Sequence, residues 1–290
     1  MRSFSSYNPI VITVYFMAVA GIVMFCMNPV ILSLSLLGAL SLYFIRNGLR
    51  DGRTHIYSIL FFIVLAVINP LVSHNGVTVL FVMNNKPVTL EAFIYGIAAA
   101  TMVISVLYWF RTFSQIMTSD KLLYIFGSFS PRLALILSMS FRYVPLFNSQ
   151  IKKVNQTQIA LGLYKEDNIV DSFKGGLRVF SVMITWALEN GIITADSMTA
   201  RGYGTGKRSK FSEFRFHKND VIFLFINIGL FVLSLIGIKD VEFEYYPGIR
   251  MSNLTLMGIV GYFAYAVLVF FPSIIEVKEI LKWKYLRSKI

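Results

Sequence analysis

Six apolar stretches, each close to the length of a membrane span, constrain the fold of this chain more than any other feature of its sequence. A helix that crosses the hydrocarbon core of a bilayer needs about 20 predominantly apolar residues, within a range of about 17 to 25. Six transmembrane helices are therefore expected. The stretches are Pro9–Cys26, Pro29–Ile45, Ile56–Ser73, Leu90–Phe110, Val221–Ile238 and Leu254–Phe271.

The composition agrees with a membrane protein rather than a soluble one. Only 14% of the 290 residues are charged and 56% are hydrophobic, whereas a soluble domain has about 25% charged residues. The sequence thus predicts an all-α, polytopic membrane protein with the lipid bilayer as its surroundings. The single cysteine, Cys26, excludes an internal disulfide and a multi-cysteine metal site, and no metal site is expected.

The distribution of basic residues predicts the orientation of the chain. Of the 27 Lys and Arg residues, only Lys86, Lys239 and Arg250 fall on one side of the six-span topology. Basic residues gather in cytoplasmic loops. We therefore expect a multi-pass protein of the cytoplasmic membrane with both termini in the cytoplasm. The same rule explains the net charge of +12, and no basic aromatic platform or nucleic-acid motif is present. No nucleic-acid partner is expected.

This topology divides the chain into three parts. Residues 1–110 carry transmembrane helices one to four, residues 111–220 form a long cytoplasmic region, and residues 221–290 carry the last two spans and a basic tail. Two local features interrupt the pattern near the third span. Asn69-Pro70 is expected to kink or end it, and the apolar run Val77–Met83 is too short to span, which leaves an interfacial segment, a short strand or a re-entrant piece.

The cytoplasmic region contains two long amphipathic helices. The first is predicted from about residue 133 to 161 and contains Arg142 and Pro145, which argue against a span. The second has apolar residues at steps of three and four, which mark one helical face. We expect the two helices to cross and to bury their apolar faces on each other and on the spans; a pair of lipid-surface helices without a partner is the alternative. The stripe of the second helix consists of Phe173, Leu177, Phe180, Ile184, Ala187, Gly191, Ala195 and Met198.

The ends of these two helices have matching sequences. The first closes with Ala160-Leu161-Gly162 and the second with Ala200-Arg201-Gly202. A glycine just past a helical run predicts a C-cap. Arg201 either complements the helix dipole or projects from the helix end into an acidic groove of another protein, since a guanidinium can bind a carboxylate through two hydrogen bonds.

The whole chain resembles the transmembrane coupling subunit, or T component, of energy-coupling-factor transporters, which are ABC-type importers. The resemblance is carried by the four early spans and by five shorter elements, of which the last is the most specific. These elements are Asn69-Pro70, Leu71–Thr89, Ser119–Leu123, Phe141–Leu146 and Met198–Tyr203.

The resemblance implies a function without chemistry in this chain. In that family, two cytoplasmic coupling helices each end in an Ala-Arg-Gly-like motif that docks into a groove of one of two ATPase subunits. The helices transmit the ATP-driven motion of the ATPases to a small membrane protein, the S component, for uptake of a vitamin or a trace metal. Arg201 matches the motif directly. Leu161 stands where an arginine is usual, which hints at an apolar pocket or a weaker dock, and at two non-identical ATPases.

ATP is expected to be bound by the partner subunits, so the chain needs no cofactor. The run Gly202–Ser209 resembles a phosphate-binding loop, but its glycine spacing does not match Gly-x-x-x-x-Gly-Lys-Ser/Thr. Two alternatives stay open. A permease subunit of an ordinary ABC importer would need polar residues inside its spans, and a membrane-embedded enzyme would need clustered His, Asp or Glu. The spans hold almost no such residues, and Glu166-Asp167 is the one adjacent acidic pair in the cytoplasmic region.

Overall fold

The computed structural model describes residues 4–48, 52–73, 75–83, 86–163, 169–206, 214–241 and 243–287. These residues form a short 3-10 helix at Phe4–Ser6, nine α-helices and two two-stranded antiparallel hairpins. The helices are α1 (Pro9–Phe25), α2 (Pro29–Asn47), α3 (Gly52–Val72), α4 (Leu90–Ile116), α5 (Ser119–Phe129), α6 (Pro131–Ala160), α7 (Ile169–Ala200), α8 (Lys218–Lys239) and α9 (Leu256–Arg287). The strands are β1 (Val79–Met83), β2 (Lys86–Thr89), β3 (Phe243–Glu244) and β4 (Arg250–Met251).

Among the described residues, five helices are long and apolar enough to cross a membrane: α2, α3, α4, α8 and α9. The fold is therefore that of an all-α, multi-pass membrane protein. The first predicted span is also helical, but α1 has 17 residues, which is the lower end of the length a span requires. Its N-terminus is formed by Asn8, whose side chain accepts a hydrogen bond from Ile10 N, followed by Pro9 at the first helical position.

The structure specifies two features near the third span that the sequence left open. The apolar run Val77–Met83 contributes strand β1, which pairs with β2, so the short-strand interpretation is the correct one. Pro70 lies inside α3, which ends at Val72. The proline thus marks the last turn of the helix, in line with the expected end of this span.

The chain divides into two compact units. One consists of Met1–Thr118 with Phe214–Ile290, and the other of Ser119–Glu213. The first unit thus extends to Thr118 and resumes at Phe214, whereas the sequence predicted boundaries at residues 110 and 221. The difference arises because two helices are longer than their apolar stretches. Helix α4 continues to Ile116 and α8 begins at Lys218. Helix α5, at Ser119–Phe129, is an element that the sequence did not separate from its neighbours.

The core of the first unit is built on aromatic side chains from α1, α4 and α8. Tyr15 and Phe16 lie within 6.2 Å and 5.9 Å of Trp109, measured between ring centroids. Trp109 is almost fully buried and donates a hydrogen bond from Nε1 to Ser35 Oγ at 2.9 Å. Offset and edge-to-face contacts of this kind add to the burial of apolar area, so this cluster fixes how the helices of the first unit pack.

Helices α8 and α9 approach each other through glycines. A Cβ atom built on Gly237 would lie 2.5 Å from Gly261 Cα, and one built on Gly261 would lie 2.6 Å from Gly237 Cα. No side chain fits between backbones at that separation. Small residues allow membrane helices to pack at close range. In lipid the hydrophobic effect does not drive helices together, so close van der Waals contacts stabilise the pair instead.

A buried carboxylate joins the first hairpin to α4. Glu91, in the first turn of α4, accepts hydrogen bonds from the backbone N and the Oγ1 of Thr78. Gly76 precedes this contact with φ of +138°, and a Cβ there would lie 2.6 Å from Glu91 Oε2. Thr89 Oγ1 donates to the carbonyl of Asn75 at 2.6 Å. These bonds hold the segment before β1 against the start of α4.

Candidate functional site

The second unit is built from α5, α6 and α7, and the last two of these are its long helices. Helix α6 has 30 residues and α7 has 32. Both are longer than a span requires, yet neither is among the described helices that are apolar enough to cross a membrane. The reason lies in their composition, since polar and charged residues such as Arg142 and Lys152 in α6 recur along them.

Helices α6 and α7 contact each other through polar and aromatic side chains. The hydroxyls of Tyr143 and Thr194 are 2.9 Å apart. Phe147 meets Trp186 edge to face, with ring centroids 5.5 Å apart and an angle of 70° between the rings. Tyr143 precedes Phe147 in α6, whereas its partner Thr194 follows Trp186 in α7. The two helices therefore run antiparallel across this contact.

The face of α7 that contacts α6 is not the face that the sequence indicated. Phe173, Leu177, Phe180 and Ile184 are exposed, with Phe173 at 70% and Phe180 at 63%; Ala187 and Met198 are half-buried. The expectation that this stripe packs between the two helices is therefore corrected.

The contact is made by the adjacent face instead. Trp186 and Thr194 share this face with Val179 and Met183, which are both buried. Each residue of this face comes one position before a residue of the stripe. One residue corresponds to a rotation of about 100° around the helix axis, so the two faces are adjacent. Helix α7 thus carries two apolar faces, and the stripe is the one that is uncovered, from Phe173 to Ile184.

Helix α6 ends in a Schellman motif, as the glycine signal predicts. Gly162 has φ of +68°. Its N–H donates to the carbonyl of Ile159 at 2.9 Å, and the N–H of Leu163 donates to the carbonyl of Gln158 at 3.1 Å. These two bonds satisfy carbonyls that the helix end leaves without a partner. We refer to residues 160–163 as the first tip.

Helix α7 ends in the same motif. Gly202 has φ of +80°, its N–H donates to the carbonyl of Thr199 at 2.9 Å, and the N–H of Tyr203 donates to the carbonyl of Met198 at 3.0 Å. Thr205 extends the turn, since its N and Oγ1 both donate to the carbonyl of Gly202, at 3.2 Å and 2.7 Å. We refer to residues 200–205 as the second tip.

The two motifs place the candidate docking residues at matching backbone positions. The last helical residue, the C-cap residue and the left-handed glycine are Ala160, Leu161 and Gly162 at the first tip, and Ala200, Arg201 and Gly202 at the second. Leu161 is 69% exposed and Arg201 is exposed. Among the described residues, Arg201 has no carboxylate within ion-pair distance. Each tip therefore presents its C-cap side chain to the surroundings.

A second arginine reaches the first tip from α7. Arg178 Nη1 donates a hydrogen bond to the carbonyl of Leu163 at 3.0 Å, in an exposed position. No local pattern could have predicted this contact, because it depends on how the chain returns from α6 into α7.

The described residues define a multi-pass helical membrane protein with a separate helical unit that ends in two capped tips. No protein-family model matches the chain, and no curated protein matches it. Two of the sequence features lie outside the described residues: the pair Glu166-Asp167, and the end of the run Gly202–Ser209 at Lys207–Ser209. Within the described part of the chain, no three His, Cys, Asp or Glu residues are grouped as a metal site would require.

The left-handed glycines of the tips give a prediction about local stability. Gly202→Ala should destabilise the end of α7 by about 1 kcal/mol, because a side chain disfavours the left-handed backbone. Hydrogen exchange at the amides of the second tip should become several-fold faster. Gly191→Ala, inside α7 where a Cβ meets open space, is the matched control and should leave exchange equal or slower. Equal exchange in both variants would contradict the capping role.

Proposed function

We propose that this chain is the transmembrane coupling component of an energy-coupling-factor type importer. The observation that carries the proposal is the pair of identical Schellman caps at the ends of α6 and α7, which present exposed C-cap side chains at residues 161 and 201. A cap of this kind holds a side chain at the end of a rigid helix, which is a suitable geometry for insertion into a groove of another protein.

The separation of the two tips supports two docking points rather than one. Arg178 marks the position of the first tip along α7, because it bonds to Leu163. From Arg178 to Arg201 the helix rises about 35 Å, at about 1.5 Å per residue. A single groove does not extend over such a distance, and two grooves on two ATPase subunits account for it. The different C-cap residues, Leu161 and Arg201, favour two non-identical ATPases.

In this mechanism the partner ATPases supply the energy and this chain transmits it. ATP binding closes the two ATPases, and their grooves carry the tips with them. Helices α6 and α7 transmit the displacement as rods. The displacement shifts the S component between an outward and an inward state. Transport results only if the ATPases interact differently with these two states. Hydrolysis takes place in the partners, and this chain holds no cofactor.

The uncovered stripe of α7 is the surface that we assign to the S component. Its large apolar side chains are exposed over several helical turns, from Phe173 to Ile184, and contiguous apolar surface of this kind marks interaction sites. An S component is a small hydrophobic membrane protein, so its chemistry suits such a stripe. The resemblance further implies that the cargo is a vitamin or a trace metal, and the basic residues favour cytoplasmic termini.

Purification of the tagged full-length chain from its own membranes in mild detergent tests this proposal. We expect two subunits with Gly-x-x-x-x-Gly-Lys-Ser/Thr motifs and one small hydrophobic membrane protein to co-purify in fixed ratio, with ATPase activity in the complex. A soluble substrate-binding lipoprotein in place of the small membrane protein would assign the chain to an ordinary ABC importer. A chain that purifies alone, from membranes that contain these subunits, would contradict the proposal.

A further inference from the structure

We infer that Arg178 is the cationic anchor of the first tip, so that this chain binds its two partners through one arginine each, from different positions in the sequence. The inference rests on the proposed function and adds a residue and a binding chemistry to it. The C-cap residue of the first tip is Leu161, which has no charge. The guanidinium of Arg178 lies at the same tip, since it donates to the carbonyl of Leu163.

Among the described residues, Arg178 has one hydrogen-bond partner for its several donors. A guanidinium has five N–H donors in a planar fork. The structure shows one donated to Leu163 O, and no described carboxylate lies within ion-pair distance of Arg178. The bond to the carbonyl orients the fork at the tip, while the exposed remainder can bind a carboxylate through two hydrogen bonds.

The first tip therefore fits a groove of defined chemistry. Leu161 and Leu163 are exposed leucines at the turn, and Arg178 adds a fixed positive charge beside them. A complementary surface has an apolar pocket with a carboxylate on its rim. The second tip presents Arg201 itself at the C-cap and requires a carboxylate at the centre of the groove. The two grooves thus differ in where the acidic group lies, which is a structural basis for two non-identical ATPases.

Charge and hydrogen bonding by Arg178 can be separated with two substitutions. Arg178→Gln removes the charge and keeps an amide donor on a shorter side chain, while Arg178→Lys keeps the charge and removes the planar fork. We expect Arg178→Gln to lower ATPase co-purification with the full-length chain about tenfold, and Arg178→Lys to lower it less. Lys152→Gln removes the same charge from an exposed position of α6, about 14 Å along the helix from Leu161, and is the matched control, expected to leave co-purification unchanged.

The outcomes separate this inference from the proposed function. Wild-type co-purification by Arg178→Gln, or an equal loss in Lys152→Gln, overturns the role of Arg178. If Arg201→Glu weakens the complex in the same experiment while Arg178→Gln does not, the coupling function stands and only this inference fails. If neither substitution alters a stable complex with the ATPases, docking through the tips fails as a whole.

Discussion

Arg201→Glu is expected to lower the amount of ATPase that co-purifies with this chain by more than tenfold. Arg201 occupies the C-cap of α7 in an exposed position, and no described carboxylate neutralises it. A guanidinium that inserts into an acidic groove makes charge-assisted hydrogen bonds. Reversing the charge removes these bonds and places two negative groups together, which costs more than simple truncation of the side chain.

The measurement is quantitative mass spectrometry of the complex purified at two salt concentrations. Lys152→Glu is the control, because it makes the same charge change at an exposed position of α6, about 14 Å along the helix from Leu161. We expect Lys152→Glu to purify with normal amounts of ATPase. Arg201→Lys should fall between the wild type and Arg201→Glu, since an ammonium keeps the charge but lacks the planar fork. An intact complex with normal transport in Arg201→Glu would remove the second tip from the docking surface.

Gly237→Ala is expected to lower the thermal midpoint of the detergent-solubilised protein by about 6 °C or more. The added methyl group would lie 2.5 Å from Gly261 Cα and 2.7 Å from the carbonyl oxygen of Met257. Both obstacles are backbone atoms of α9, so no side-chain rotation relieves the clash and the helices must move apart. Overpacking of this kind costs about 1–3 kcal/mol and at times more, which for a chain of this size corresponds to a shift of that order.

Gly229→Ala is the matched control for this prediction. Gly229 lies in the same helix, α8, but a Cβ there has no atom within 4 Å. Alanine is favoured over glycine inside a helix, so the midpoint of Gly229→Ala should equal or exceed that of the wild type. Gly261→Ala should reproduce the loss from the other helix. Equal midpoints for Gly237→Ala and Gly229→Ala would mean that α8 and α9 do not approach through these glycines.

The substitutions at the glycine contact and at the second tip lie in different units of the molecule. Gly237 and Gly261 belong to the first unit, whereas Arg201 belongs to the second. We therefore expect Arg201→Glu to leave the thermal midpoint unchanged, because an exposed charge contributes little to stability. A loss of ATPase from Arg201→Glu at an unchanged midpoint would separate binding from folding.

Much of the local structure could be predicted from the sequence. The predicted helix from about residue 133 to 161 corresponds to α6 at Pro131–Ala160, and the second amphipathic helix, α7, ends at Ala200 where the Ala-Arg-Gly run placed its end. The left-handed conformations of Gly162 and Gly202 were also indicated. These features depend on residues within one or two helical turns, so the sequence pattern contains the required information.

The packing of α7 could not be predicted in the same way. Steps of three and four identified a real apolar stripe, but α7 has a second apolar face around Val179 and Met183, one residue out of phase. Periodicity alone cannot rank two adjacent faces. The choice is made by partner side chains on α6, such as Tyr143 and Phe147, which are far away in the sequence.

The sequence by itself determined that this is a helical, multi-pass membrane protein and where α6 and α7 end, because apolar length and cap residues act locally. Only the tertiary structure decided which face of α7 is covered, that Gly237 meets Gly261, and that Arg178 lies at the first tip. Each of these is a contact between separate helices. The free energy of such a contact depends on the relative placement of two elements, which neither element encodes alone.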